Sequence, residues 1–171
     1  SKMDAGPLLA QRRVTLSADA RAGVLTTQLF ELGAAMLLEA LAAYAAGQLQ
    51  LIPQDDSQAT YTPLLKKSDG IIDWNQSAVH IERMTRAYDP WPAATTLWRG
   101  QPFKIIAARP HDTGPINASP GQLLPHPDGV WVATGDGALE LLLVQPAGKR
   151  QLSAIDWRRG LRDIEQARFG E

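Results

Sequence analysis

The sequence predicts an α+β chain whose helices and strands are segregated along its length. Three observations carry that expectation. Residues 20–46 are rich in Ala, Leu and Glu, all strong helix formers. Residues 95–144 instead break into short apolar runs separated by Gly-containing turns. Between them, residues 71–94 read as an extended entry, one amphipathic helix and a proline stop.

The 171 residues are 44% hydrophobic, enough to bury a core in one domain or two small ones. The formal charge is −1, so no global field draws in nucleic acid, and any RNA surface must be a local patch. There are no cysteines, which excludes disulfides and thiolate metal sites. No apolar run is read as reaching the ~20 residues that span a bilayer, and no signal peptide is recognised. The expectation is a soluble, intracellular protein with no membrane partner.

The first fifty residues read as extended segments followed by helices. Leu8, Leu9, Val14 and Leu16 suggest extended segments, and Ser17 is placed to cap a helix with Asp19 favourable against its dipole. Gly33 is expected to divide the helical run into two, the first carrying Val24, Leu25, Leu29 and Leu32. The second carries Leu37, Leu38, Leu41 and Tyr44, and Gly47 stops it. Helices this apolar need a sheet to cover, and fifty residues do not supply one. The mismatch points to a fragment of a larger domain. Gln48 to Thr60 is polar and marked by Pro53, as a linker is.

In the central stretch Ser77 can cap a helix carrying Val79, Ile81, Met84 and Tyr88, with Glu82, Arg83 and Arg86 on its other faces. Asp89-Pro90-Trp91-Pro92 ends it, because proline lacks an N–H and turns its predecessor away from helical angles. Arg99-Gly100-Gln101-Pro102 then reads as a hairpin turn between 95–98 and 103–108. Pro127-Asp128-Gly129 joins 121–124 to 130–134, and Gly135-Asp136-Gly137 leads into 138–144. Such strands suggest a small closed barrel, its open end plugged by the Ser77 helix.

The residues Ile72-Asp73-Trp74, Ser77-Ala78, Ile81, Arg83, Arg86-Ala87 and Pro90-Trp91-Pro92-Ala93 resemble the junction into the C-terminal domain of the methionyl-tRNA formyltransferases. The resemblance extends through Pro120 to Leu124, Gly135 to Leu139, Gln145 to Arg150 and Ser153 to Gly160. It implies three parts: residues 1–50 as the tail of a Rossmann-like catalytic domain, 51–76 as a linker, and 77–171 as an OB-fold-like tRNA-binding barrel. Met3-Asp4-Ala5-Gly6-Pro7 resembles the family's D-x-G segment, which makes Asp4 the catalytic carboxylate. In the family it works with an N-x-H segment to transfer a formyl group from 10-formyltetrahydrofolate to the methionyl amine of initiator tRNA, an acid–base task suited to a carboxylate. No histidine of this sequence sits two residues after an asparagine, so the fragment by itself is expected to be inactive.

For RNA, the resemblance together with the basic residues points to Lys66 and Lys67 in the linker, Arg86, and the cluster Lys149, Arg150, Arg158, Arg159 and Arg162. Such clusters suit phosphate contacts, which position RNA without reading its sequence. From residues alone a solvated helix end is the competing reading. Residues 77–171 carry 11 Lys or Arg against 10 Asp or Glu, a surplus of one. Trp131 and Trp157 are read either as stacking faces for RNA or as buried aromatics of a small barrel, and burial is the expectation. His80, His111 and His126 lack metal-ligand spacing and receive no role, so no metal is expected. The nucleic-acid partner implied by the resemblance is initiator methionyl-tRNA and not DNA. The resemblance implies a monomeric, cytoplasmic parent enzyme. A sugar-nucleotide formyltransferase or formyl-tetrahydrofolate hydrolase-like protein is the alternative within enzymes. A non-catalytic OB-fold interaction domain is the alternative outside them.

Overall fold

The computed structural model describes residues 3–114, 117–161 and 167–171. The chain divides into two compact units, Ser1–Leu64 and Leu65–Glu171.

The first unit is built on one helix, α1 (Ala22–Ala45). Two sequence expectations are corrected here. Ser17 does not cap the helix: its carbonyl accepts from the Ala20 N–H at 3.1 Å in a separate turn, and Arg21 takes the N-cap position. Gly33 does not divide the helix either, because an interior glycine weakens a helix without removing a backbone hydrogen bond. The continuous α1 runs for 24 residues and is long and apolar enough, by length and composition, to cross a membrane. Division into two shorter helices would conceal that length. Gly47 does end the run, with φ +67° and its N–H donating to the Tyr44 carbonyl at 3.0 Å.

Little else in this unit is ordered into sheet. Leu8 and Ile52 form an antiparallel bridge, with N–H to carbonyl distances of 2.8 and 3.1 Å. Gln54 donates from Nε2 to the carbonyls of Asp4 (2.9 Å) and Gly6 (2.6 Å). Among the described residues of the unit, Ala40 alone is buried, while Phe30 and Leu38 are almost three-quarters exposed. These residues form no core of their own, and the expected Rossmann tail has no sheet here to belong to.

The second unit is a curled antiparallel sheet with two short helices. After Ser77, whose side chain accepts from the His80 N–H, comes α2 (Ala78–Ala87). It is followed by the proline corner, β1 (Thr95–Trp98), β2 (Gln101–His111) and β3 (Leu123–Leu124). Then come β4 (Val130–Ala133), β5 (Ala138–Pro146), β6 (Leu152–Ser153) and α3 (Ala154–Arg159). The sheet order is β1-β2-β5-β4-β3, with β6 added on β5. Arg99 and Gly100 both have positive φ (50° and 71°), the backbone a two-residue hairpin turn requires. Irregular register between Ile105 and Ala108 bends β2, which pairs with β1 over residues 101–104 and with β5 over residues 103–111.

The two ends of this path are joined by the C-terminal segment. Gly170 donates its N–H to Leu97 at the β1 edge (2.9 Å), and Phe169 donates to the Gly121 carbonyl beside β3 (2.8 Å). The Leu123 N–H in turn reaches the Ala167 carbonyl at 3.0 Å. Gly121 has φ +87°, and a side chain there would press on the Phe169 carbonyl at 2.7 Å. The result is a partial β-barrel stitched across its seam.

An aromatic cluster fills it. Phe169 lies within 5.8 Å, centroid to centroid, of Trp74, Trp98, Phe103 and Trp157. Ile81 and Met84 of α2 join the same core, and α2 packs on β2 and β5. Trp74 satisfies its indole N–H on Thr96 Oγ1 at 3.0 Å, so its burial leaves no orphan donor.

Candidate nucleic-acid interface

Side-chain alternation sets the outer face of the barrel. Val130, Val132, Leu139 and Leu141 are at most 2% exposed and point into the core. Trp131 and Glu140, between them, therefore lie on the other face. In register, Arg109 of β2 pairs with Glu140 of β5, and Glu140 pairs with Trp131 of β4. One row thus crosses three strands.

Around that row the structure gathers groups that are far apart in sequence. The His111 ring stacks on Trp131 at 4.1 Å with planes 25° apart, and the His126 ring stacks on it at 4.4 Å with planes 10° apart. Glu140 Oε2 sits 2.9 Å from His111 Nε2 and accepts from Arg109 Nη1 at 3.1 Å. The expected core position of Trp131 is corrected: it is half-buried and outside the core cluster, whereas Trp157 is buried within it. The reason is register. Trp131 falls between two inward-facing valines, so the pleat turns it outward. Two of the histidines given no role from sequence, His111 and His126, thus flank this tryptophan. Among the described residues no cluster of His, Cys, Asp or Glu could hold a metal ion.

The basic residues singled out from sequence fall into different environments. Lys149 and Arg150 are exposed in the turn between β5 and β6. Arg159 is exposed on α3 and pairs with Asp156 at 2.8 Å. Arg158 is half-buried, and its Nη1 donates to the carbonyls of His126 (2.5 Å) and Gly129 (2.6 Å). That guanidinium pins the loop carrying His126 onto α3. Arg162 lies outside the described residues. Lys66 and Lys67 are exposed at a short turn in which the Lys66 N–H donates to the Asp69 carboxylate at 2.8 Å. Arg86 grips Glu82 one helical turn earlier, with Nε at 2.6 Å and Nη2 at 3.0 Å.

In the first unit Asp4 is exposed, in a turn with φ +58°, beside an open hollow of about 840 Å3 that also meets Gln11, Gln54 and Tyr61. No asparagine or histidine is among the described residues that line that hollow. Two aspartates elsewhere have distinctive surroundings. Asp73 takes bonds from the Asn75 N–H and side chain and from Gln76, which hold its carboxyl below the ordinary value. Asp55 is lowered in the same direction, first by the Ser57 hydroxyl and then by Gln58.

Comparison with known proteins places the chain in a family. Residues 64–162, nearly the whole of the second unit, match the model for the formyl transferase C-terminal domain. A methionyl-tRNA formyltransferase of Roseiflexus castenholzii is 61% identical over 170 residues, covering 99% of this chain and 54% of that protein. One from Herpetosiphon aurantiacus is 55% identical over 166 residues, covering 97% and 54%. The chain therefore spans about half the length of the curated relatives it matches. Among solved structures, HypX from Aquifex aeolicus in complex with tetrahydrofolic acid superposes with a TM-score of 0.66 at 23% identity. It covers 91% of this chain and 28% of HypX, a likeness of fold. Both the aligned span and the barrel it encloses lead to one conclusion: the chain belongs to the formyl transferase C-terminal domain family.

Proposed function

We propose that the chain is the C-terminal half of a methionyl-tRNA formyltransferase. The observation that carries this reading is the identity of 55–61% to proteins of that name over almost every residue. It favours the tRNA enzyme over a sugar-nucleotide formyltransferase, a formyl-tetrahydrofolate hydrolase or a non-catalytic interaction domain.

In this reading residues 1–50 are the tail of the catalytic domain, residues 51–76 the linker, and residues 77–171 an OB-fold domain that holds initiator methionyl-tRNA. The enzyme is cytoplasmic, and the apolar flanks of α1 face protein rather than lipid. 10-Formyltetrahydrofolate supplies the formyl carbon to the methionyl amine. Asp4 is the residue of this chain assigned to the chemistry, accepting the proton that the amine loses as its nitrogen bonds to that carbon, while the bond from the carbon to the folate nitrogen breaks and tetrahydrofolate leaves. Lys66, Lys67, Arg86, Lys149, Arg150 and Arg159 are assigned to phosphate contacts, and Arg158 contributes by holding the adjacent loop.

The test has two arms. Binding of this chain to initiator methionyl-tRNA and to an elongator tRNA is measured at two salt concentrations. Steep weakening with salt, relieved in slope by Lys149→Ala and Arg150→Ala, is the expected result. In the full-length protein Asp4→Asn is expected to lower formyl transfer at least about a hundredfold without changing tRNA affinity. Unchanged transfer in that variant would remove Asp4 from the chemistry.

A further inference from the structure

Three features of the outer face around Trp131 call for a partner. The rings of His111, Trp131 and His126 make a stack that contributes nothing to the aromatic core, which is already complete around Phe169. A guanidinium, Arg109, stands in the same cross-strand row with 61% of its side chain exposed. The platform is also held in advance: Glu140 orients both His111 and Arg109, and Arg158 fixes the loop that carries His126.

Stacked planar rings with an adjacent arginine match the demands of unpaired RNA. Every base offers a π-face to an aromatic platform, and the following phosphate needs a cation nearby. A base-paired duplex keeps its bases within the helix and cannot use such a platform. Glu140 is spent on Arg109 and His111, and the Asp128 N–H rather than its carboxylate meets His126 Nδ1, at 3.3 Å.

We infer that the His111–Trp131–His126 stack and Arg109 form a contact for an unpaired segment of RNA, one base extending the ring stack and its phosphate meeting Arg109. The inference rests on the proposed tRNA-binding reading and adds to it a site whose histidines and tryptophan no basic cluster would reveal. Glu140 is a positioning residue in this site.

The full 171-residue chain is titrated with a tRNA transcript, a short single-stranded oligoribonucleotide and a blunt RNA duplex. Trp131→Leu is expected to weaken binding to the tRNA and the single strand by about 5- to 100-fold, the loss of one stacked base, and to leave the duplex unchanged. Arg109→Gln is expected to weaken binding several-fold and to flatten its salt dependence by about one phosphate contact. His126→Ala, on the loop, gives an independent removal of one ring should Trp131→Leu unfold. Photocrosslinking is expected to attach the single strand to the peptide spanning 124–133. Folded variants that bind all three RNAs like the parent chain overturn this site while leaving the tRNA reading intact. A folded parent chain that binds none of them overturns both.

Discussion

Arg158 donates from Nη1 to the carbonyl oxygen of His126 at 2.5 Å, although the two residues are 32 positions apart. The same nitrogen reaches Gly129 at 2.6 Å. A side chain that reads in sequence as a surface phosphate contact is therefore a clamp between α3 and the β3–β4 loop. Arg158→Ala leaves two carbonyls without their charged donor. It is expected to destabilise the second unit by about 1–3 kcal/mol, the range for hydrogen bonds to a charged group at a half-buried site. Urea denaturation measures it. Unchanged stability with reduced RNA affinity would return Arg158 to direct phosphate contact.

Phe169 closes the seam of the barrel two residues before the end of the sequence. Its ring is 1% exposed, and its backbone bonds to Gly121 while its neighbour Gly170 bonds to Leu97. Phe169→Ala removes the ring at the centre of the aromatic cluster and is expected to cost about 3–5 kcal/mol. Loss of the near-ultraviolet tryptophan signal should accompany it, because Trp74, Trp98 and Trp157 all pack on this ring. A loss below about 1 kcal/mol would mean the barrel holds without its seam.

Local chemistry makes much of this fold legible. Ser77 caps α2, Ser153 caps α3 by accepting from the Asp156 N–H, and Arg99-Gly100 turns the first hairpin. Each feature depends on residues within a few positions. What the sequence hides depends on contacts between distant residues. The seam made by 167–171, the Arg158 clamp and the His–Trp–His stack all join separate segments, and no spacing rule reports on them. Trp131 shows the limit most clearly. Apolar neighbours on both sides suggest a core position, yet strand pleat puts alternate residues outside. Gly33 shows the converse, a local weakness that reads as a break and is none.

Gly33 offers a direct test of that correction. It lies inside α1, and a Cβ there would meet nothing within 4 Å. Gly33→Ala is thus expected to strengthen a continuous helix by about 0.5–1 kcal/mol, through lower backbone entropy in the unfolded chain. Amide exchange across residues 30–37 should slow to match. If the chain instead bends at Gly33 into two helices, the substitution strains the bend and exchange there accelerates.

Asp73 predicts a pH dependence with a definite sign. Its carboxylate collects the Asn75 N–H at 3.0 Å, the Asn75 side chain at 2.8 Å and Gln76 at 3.3 Å, building the turn that delivers the chain to Ser77. These bonds hold its titration below the ordinary value of 3.8. A carboxyl lowered on folding binds its proton more readily when unfolded, so its stabilising effect is complete above 3.8 and fades as pH falls through the lowered folded value. Asp73→Ala should therefore lower Tm at neutral pH, and the gap to the parent chain should narrow only below the ordinary carboxylate range. Because Asp73 is exposed, solvent screening keeps the effect modest. A gap that stays constant from neutral pH to strong acid would assign the loss to the shape of the turn and not to the charge on the carboxylate.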